Sequence, residues 1–121
     1  MQRARVIAEH RSPDRPAIRV SAGDSVTLGE RDSDWPQFVW ATLAQGLGGW
    51  IPAALFDRDT GTATALGDYD TRELATRVGE SITVHYQQEG WWWAENANGE
   101  SGWIPARAIE LIDSEPTLFF L

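Results

Sequence analysis

Cysteine is absent from the 121 residues, which excludes a disulfide framework and a cysteine-ligated zinc site. Lysine is absent too, so all ten basic residues are arginine. His10 and His85 are the only histidines, and they lack the close spacing of a metal-ligating pair. No glycine-rich loop follows a strand and opens a helix, so a phosphate cradle is not expected. Ser25 and Ser81 precede β-branched residues inside predicted strands, a poor setting for an activated nucleophile. The chain therefore reads as a non-enzyme with no cofactor and no metal. Long apolar runs are missing, and the first twenty residues hold five arginines, so neither a membrane span nor a secretory leader is predicted. A soluble, cytoplasmic protein without membrane contact is the expectation.

Negative charge is plentiful, and unevenly placed. The net charge is −8. Residues 1–56 carry six Arg and six Asp/Glu, whereas residues 57–121 carry four Arg and twelve Asp/Glu. Such a surface repels phosphate backbones, so nucleic acid is not an expected partner, and a basic peptide or protein suits it better. Tryptophan is the other excess: seven residues, at 35, 40, 50, 91–93 and 103. A small core uses two or three; the remainder are expected partly exposed, where a flat amphipathic ring most often serves binding.

An internal repeat organises the chain. Gly48-Gly49-Trp50-Ile51-Pro52-Ala53 returns as Ser101-Gly102-Trp103-Ile104-Pro105-Ala106, a shift of 53. Gly23-Asp24-Ser25-Val26-Thr27 returns as Gly79-Glu80-Ser81-Ile82-Thr83, a shift of 56, and Val6 to His10 aligns with Ala65 to Tyr69, a shift of 59. Steps of three place short insertions in loops between 10 and 18 and between 27 and 38. The copies read as strands. Ser81 to Tyr86 alternates, with Ile82, Val84 and Tyr86 on one face. Trp91 to Glu95 follows, then the turn Asn96-Ala97-Asn98-Gly99, then a strand that Pro105 ends. The first copy repeats this with strands over 24–28 and 38–43 and at Trp50-Ile51. Residues 70–77 lack an apolar stripe and read as loop. The expected fold class is all-β, two tandem small barrels, bounded at 1–56 and 65–113, with 57–64 as a short polar linker and 114–121 as an apolar C-terminal tail.

The ordered set of motifs resembles the Src-homology-3 family. Ala65-Leu66-Gly67-Asp68-Tyr69 stands at its opening Ala-Leu-Tyr-Asp-Tyr motif, and Glu73-Leu74 at the end of the first long loop. Trp91-Trp92 stands at the paired tryptophans, and Gly102-Trp103-Ile104-Pro105 at the motif ending in proline. Residues 4–56 match more loosely. The resemblance implies a groove for proline-rich, polyproline II peptides. In the second copy Tyr69, Trp91 and Pro105 would line it, with Asp70, Glu73 and Glu89 as the acidic side facing a basic ligand residue. Gly67 and Ala108 replace two of the family's tyrosines. In the first copy His10 and Ala8 replace the opening tyrosines, Phe38 the tryptophan and Leu55 the last tyrosine, while Pro52 is kept. Trp35, from the insertion, is expected to take over an aromatic role. Such truncated grooves resemble the family's bacterial members.

The sequence reads as a peptide- or protein-binding module. Its alternative is an assembly module whose aromatic faces are used in packing, and a third reading is cell-wall peptide binding. For Trp50 and Trp103 a structural role is favoured, and for most loop acids simple solvation. The apolar tail Thr117 to Leu121 is expected to pack on the chain itself, to mediate a homodimer, or to be offered as a short peptide to a partner's surface.

Overall fold

Short β-branched runs punctuated by Gly, Asn and Asp become eleven strands among residues 2–112, the part of the chain that this computed structural model describes. In chain order they are β1 (Gln2–Val6), β2 (Arg19–Val20), β3 (Ser25–Arg31), β4 (Phe38–Thr42), β5 (Gly48–Pro52), β6 (Gly61–Thr64), β7 (Tyr69–Asp70), β8 (Ser81–Gln88), β9 (Trp91–Glu95), β10 (Ser101–Pro105) and β11 (Ile109–Leu111). Among the described residues the only helical elements are single 3-10 turns, Ala53–Leu55 and Ala106–Ala108. The fold is all-β. The strands form sheets ordered β10-β9-β8-β1-β11 and β5-β4-β3-β6, with β2-β7 as a separate pair, and neither large sheet closes on itself. The apolar tail, 114–121, lies outside the described residues.

Two compact units result, and they are not the two sequence copies. One is Asp14–Thr71; the other is Met1–Pro13 together with Arg72–Leu121. These units cut across the boundaries expected at 1–56 and 65–113: β1 pairs with strands that follow residue 72, and β6 with a strand that precedes residue 56. β1, from the first copy, lies between β8 and β11 of the second, with Ala4 opposite Ile82 and Val6 opposite Ile109. β6, from the second copy, lies beside β3 of the first, with Ala63 opposite Val26, and Ala65 bridges to Phe56. These are the same positions of the repeat. The trade extends to the next turn of chain: His10 bridges Thr76, and Tyr69 pairs with Val20.

The reason lies in the segment read as a linker. Phe56 bridges Ala65 and Asp57 is bonded to Thr64, so the chain turns back within the six residues 58–63. A span that short reaches only about 20 Å when extended. The Asp57 N–H donates to the Thr64 carbonyl (3.1 Å) and the Asp57 carboxylate accepts the Thr64 N–H (2.8 Å). Gly61, at φ 72°, supplies the left-handed backbone that the turn needs. Captured there, β6 fills the first copy's opening, and β1 takes the vacancy in the second. The trade also redistributes charge: unit Asp14–Thr71 holds four Arg and nine Asp/Glu, its counterpart six Arg and nine Asp/Glu, net −5 and −3 in place of the 0 and −8 read along the sequence.

In the β1-containing unit Ala4, Val6, Leu74, Ile82, Val84, Ala94, Ile104, Ala108 and Ile109 form the core. Burying Val6 completely stabilises the unit by roughly 1.5–3 kcal/mol. Ile82 and Val84 face inward as alternation predicts, but Tyr86 does not; it is 52% exposed. A register shift between Val84 and Tyr86 inserts an extra residue against β9 and reverses the faces beyond it.

Candidate functional site

The β8–β9 hairpin closes on Glu89 and Gly90, both with positive φ (52° and 86°). That is the backbone of a tight two-residue loop whose twist matches its strands, and it forces a non-glycine residue, Glu89, into a sparsely used conformation. Trp91 is thereby set at the first position of β9, opposite Gln88 on one side and Pro105 on the other. The Ala106 N–H donates to the Gly90 carbonyl at 2.9 Å, which pins the 3-10 turn after Pro105 beside this hairpin.

The third wall comes from the traded segment. His10 exchanges backbone hydrogen bonds with Thr76 (3.2 and 2.9 Å). Its imidazole stands edge-on to Trp91, ring centroids 5.5 Å apart at 75°, a favourable arrangement because a ring's positive edge meets a negative face. On its other side Nε2 lies 2.8 Å from Glu73 Oε1, with the two side chains only 15% and 20% exposed. Glu73 is held by backbone bonds flanking it: Leu74 N–H to the Trp103 carbonyl and Trp103 N–H to the Arg72 carbonyl, both 2.9 Å. Gly102 makes that approach possible, since a Cβ there would lie 2.7 Å from the Glu73 carbonyl carbon and the Leu74 nitrogen. His10, Glu73, Trp91 and Pro105 thus sit in one unit. A cavity of about 350 Å³ adjoins His10, bordered by Arg11, Thr76, Arg77 and Glu80.

Unit Asp14–Thr71 holds the equivalent positions. Phe38 stands opposite Pro52 across β4 and β5. Leu55 lies under Gly67, and its carbonyl accepts the Leu66 N–H. Tyr69 is buried in the β2–β7 pair, and Asp70 lies 3.6 Å from the exposed Arg19 guanidinium. Half-buried Trp35 accepts the Phe38 N–H on its carbonyl at 2.9 Å.

Tyr69 belongs to one unit, and Trp91 and Pro105 to the other. The residue that meets Trp91 is His10, and the acid bound to His10 is Glu73, 63 positions away. Asp70 stays with Tyr69, while Glu89 is exposed at the hairpin loop of the other unit. Of the seven tryptophans Trp103 alone is buried; the other six are half-buried. Trp103 contacts Tyr86 and Trp93 edge-on at 5.7 and 5.2 Å, a ladder of rings across β8, β9 and β10. Trp40 packs edge-on against Trp50 at 5.1 Å, and the Arg15 guanidinium sits 5.3 Å from its ring centre. The repeat carried no signal for that cation–π contact, because Arg15 lies in the loop where the copies differ.

Among the described residues no cluster of three or more potential metal ligands occurs, and no helix is long and apolar enough to cross a membrane.

Residues 64–106 match the family model of the SH3 domain. The chain is 39% identical over 49 residues to myosin heavy chain IB of Acanthamoeba castellanii, covering 38% of this chain and 4% of that protein. It is also 39% identical over 62 residues to the high osmolarity signaling protein SHO1 of Eremothecium gossypii, covering 47% of this chain and 19% of that protein. The chain thus spans less than a fifth of either relative. SH3 domains are in general non-catalytic modules of protein–protein interaction. The matched stretch runs across the unit boundary between Thr71 and Arg72, so its opening strand and its body fall in different units.

Proposed function

We propose that the chain is a non-catalytic binding protein built of two SH3-like folds that share their opening strands, each presenting an aromatic-walled site to an extended peptide segment. The carrying observation is the packing of His10 on Trp91, with Pro105 opposite Trp91 and Glu73 bound to His10. In this reading Trp91 and Pro105 hold apolar or proline-bearing ligand residues, and Glu73 and Glu89 attract a basic one. Phe38, Pro52, Tyr69, Trp35 and Asp70 do the same in the other unit. A net charge of −8 supports a basic partner. Because Glu73 already has an in-chain partner, a ligand arginine must use its second oxygen or displace His10. The test is a ¹H–¹⁵N titration of the indole N–H signals with arginine-flanked proline-rich peptides. Saturable shifts at Trp91, abolished in Trp91→Ala, are expected; unmoved indoles would sink the proposal.

One observation favours a second reading, an assembly module. The rings of Tyr86, Trp93 and Trp103 spend their faces on one another, as do Trp40 and Trp50. Acrylamide quenching separates the two readings: several accessible indoles favour ligand binding, and uniform protection favours assembly.

A further inference from the structure

The two units are unequal in how they obtain their opening strand. Unit Asp14–Thr71 is continuous, and β6 reaches its place through a hairpin loop. Its counterpart depends on Met1–Pro13, which is separated from Arg72 by the whole of the other unit. That arm is indispensable to its host. β1 pairs with β8 on one edge and β11 on the other, and it sends Ala4 and Val6, both fully buried, into the core. Without it, two strand edges and the side chains of Ile82, Val84 and Ile109 lie open, a template for any matching strand.

The arm's tether is built to let go. Residues 11–17 contain no strand and are largely exposed, and Pro13 and Pro16 withhold two backbone donors. Among the described residues, the backbone partners of β1 (β8, β11, Gly79, Glu80 and Ile112) belong to the unit that receives it, so delivery by a different molecule preserves those bonds. We propose that residues 1–10 form an exchangeable arm, and that the partner it recognises is a second copy of this chain: two molecules insert β1 reciprocally and close a two-fold dimer. The arm carries His10, so in the dimer each Trp91 is faced by the partner copy's imidazole. Each site is then shared between two chains.

Competition between the chain's own arm and another's is decided by effective concentration, in the millimolar range for a tethered segment. Refolding the full chain at about 1 mM should therefore give dimer, and refolding at about 10 µM monomer. Once formed, the dimer should persist on dilution, because release requires unfolding of the arm-containing unit. Molar mass by light scattering reads both. The decisive variant carries Arg5→Cys and Ser81→Cys, residues directly opposed across β1 and β8. Oxidised when dilute, it pins each arm in its own molecule and should stay monomeric when then unfolded and refolded at 1 mM without reductant; refolded reduced at 1 mM, it should dimerise like the parent. Oxidised after concentrated refolding, it should run as a covalent dimer without reductant. Monomer throughout at 1 mM overturns the proposal. So does a dimer that survives arm locking but vanishes when residues 114–121 are deleted, which would assign the interface to the tail.

Discussion

The trade of opening strands is open to a direct chemical test, because the chain has no cysteine of its own. In the structure Arg5 faces Ser81, and both are exposed. Had each copy kept its own strand, repeat equivalence would set Arg5 against Ser25, just as Thr64 now faces Ser25. Opposed residues of an antiparallel pair have Cα atoms about 4.5–5.5 Å apart, within disulfide range. The Arg5→Cys/Ser81→Cys variant should therefore oxidise readily and intramolecularly in dilute solution, and Arg5→Cys/Ser25→Cys should not. The first bond closes a loop of about 75 residues, worth on the order of 4 kcal/mol at most on the chain-entropy model. At about 4 °C per kcal/mol for a chain of this size, the melting temperature should rise by up to about 16 °C before any strain is subtracted. Mass spectrometry of peptides cut without reduction, with thermal melts in both redox states, reads the outcome. Selective oxidation of the Arg5/Ser25 variant, with none in the Arg5/Ser81 variant, would refute the exchanged assignment.

Val6→Ala removes two buried methyl groups and should cost about 1.5–2.5 kcal/mol. Hydrogen exchange should quicken at β8 and β11 while β3–β5 amides keep their protection; loosening of β3–β5 instead would contradict the placement of β1. Gly102→Ala puts a Cβ 2.7 Å from backbone atoms of Glu73 and Leu74, which cannot swing away as a flexible side chain could. A loss of about 1–3 kcal/mol is expected, with the His10 ring signals shifted as Glu73 moves; an unchanged melt and spectrum would count against that packing. Thr76 is 3% exposed, and its hydroxyl oxygen has no hydrogen-bond partner among the described residues. Thr76→Val should therefore raise stability by about 1 kcal/mol, and a lower melting temperature would show that the hydroxyl is satisfied.

Much of the architecture was legible because it is local. The alternation of Ser81 to Val84, the turn at Asn96 to Gly99 and the repeated Gly-Trp-Ile-Pro segments are written in adjacent residues, and the structure has strands and turns there. Tyr86 escaped because a bulge adds one residue between paired strands, and period-two counting cannot register it. At the candidate site the pairing of Trp91 with Pro105 is legible in neighbouring strand patterns, whereas the imidazole that meets Trp91 belongs to His10, far away in sequence.

Sequence alone determined the all-β class and the kinds of side chain available for a site, since these follow from short-range pattern and composition. Only the tertiary structure decided which copy's strand completes which sheet. The opening strands are nearly interchangeable, small apolar residues at matching positions, so pattern cannot choose between them. The choice goes with distance: the short turn over 58–63, closed by the Asp57–Thr64 hydrogen bonds, keeps β6 beside β3. That short span sends Tyr69 to Asp14–Thr71 and brings His10 to Trp91.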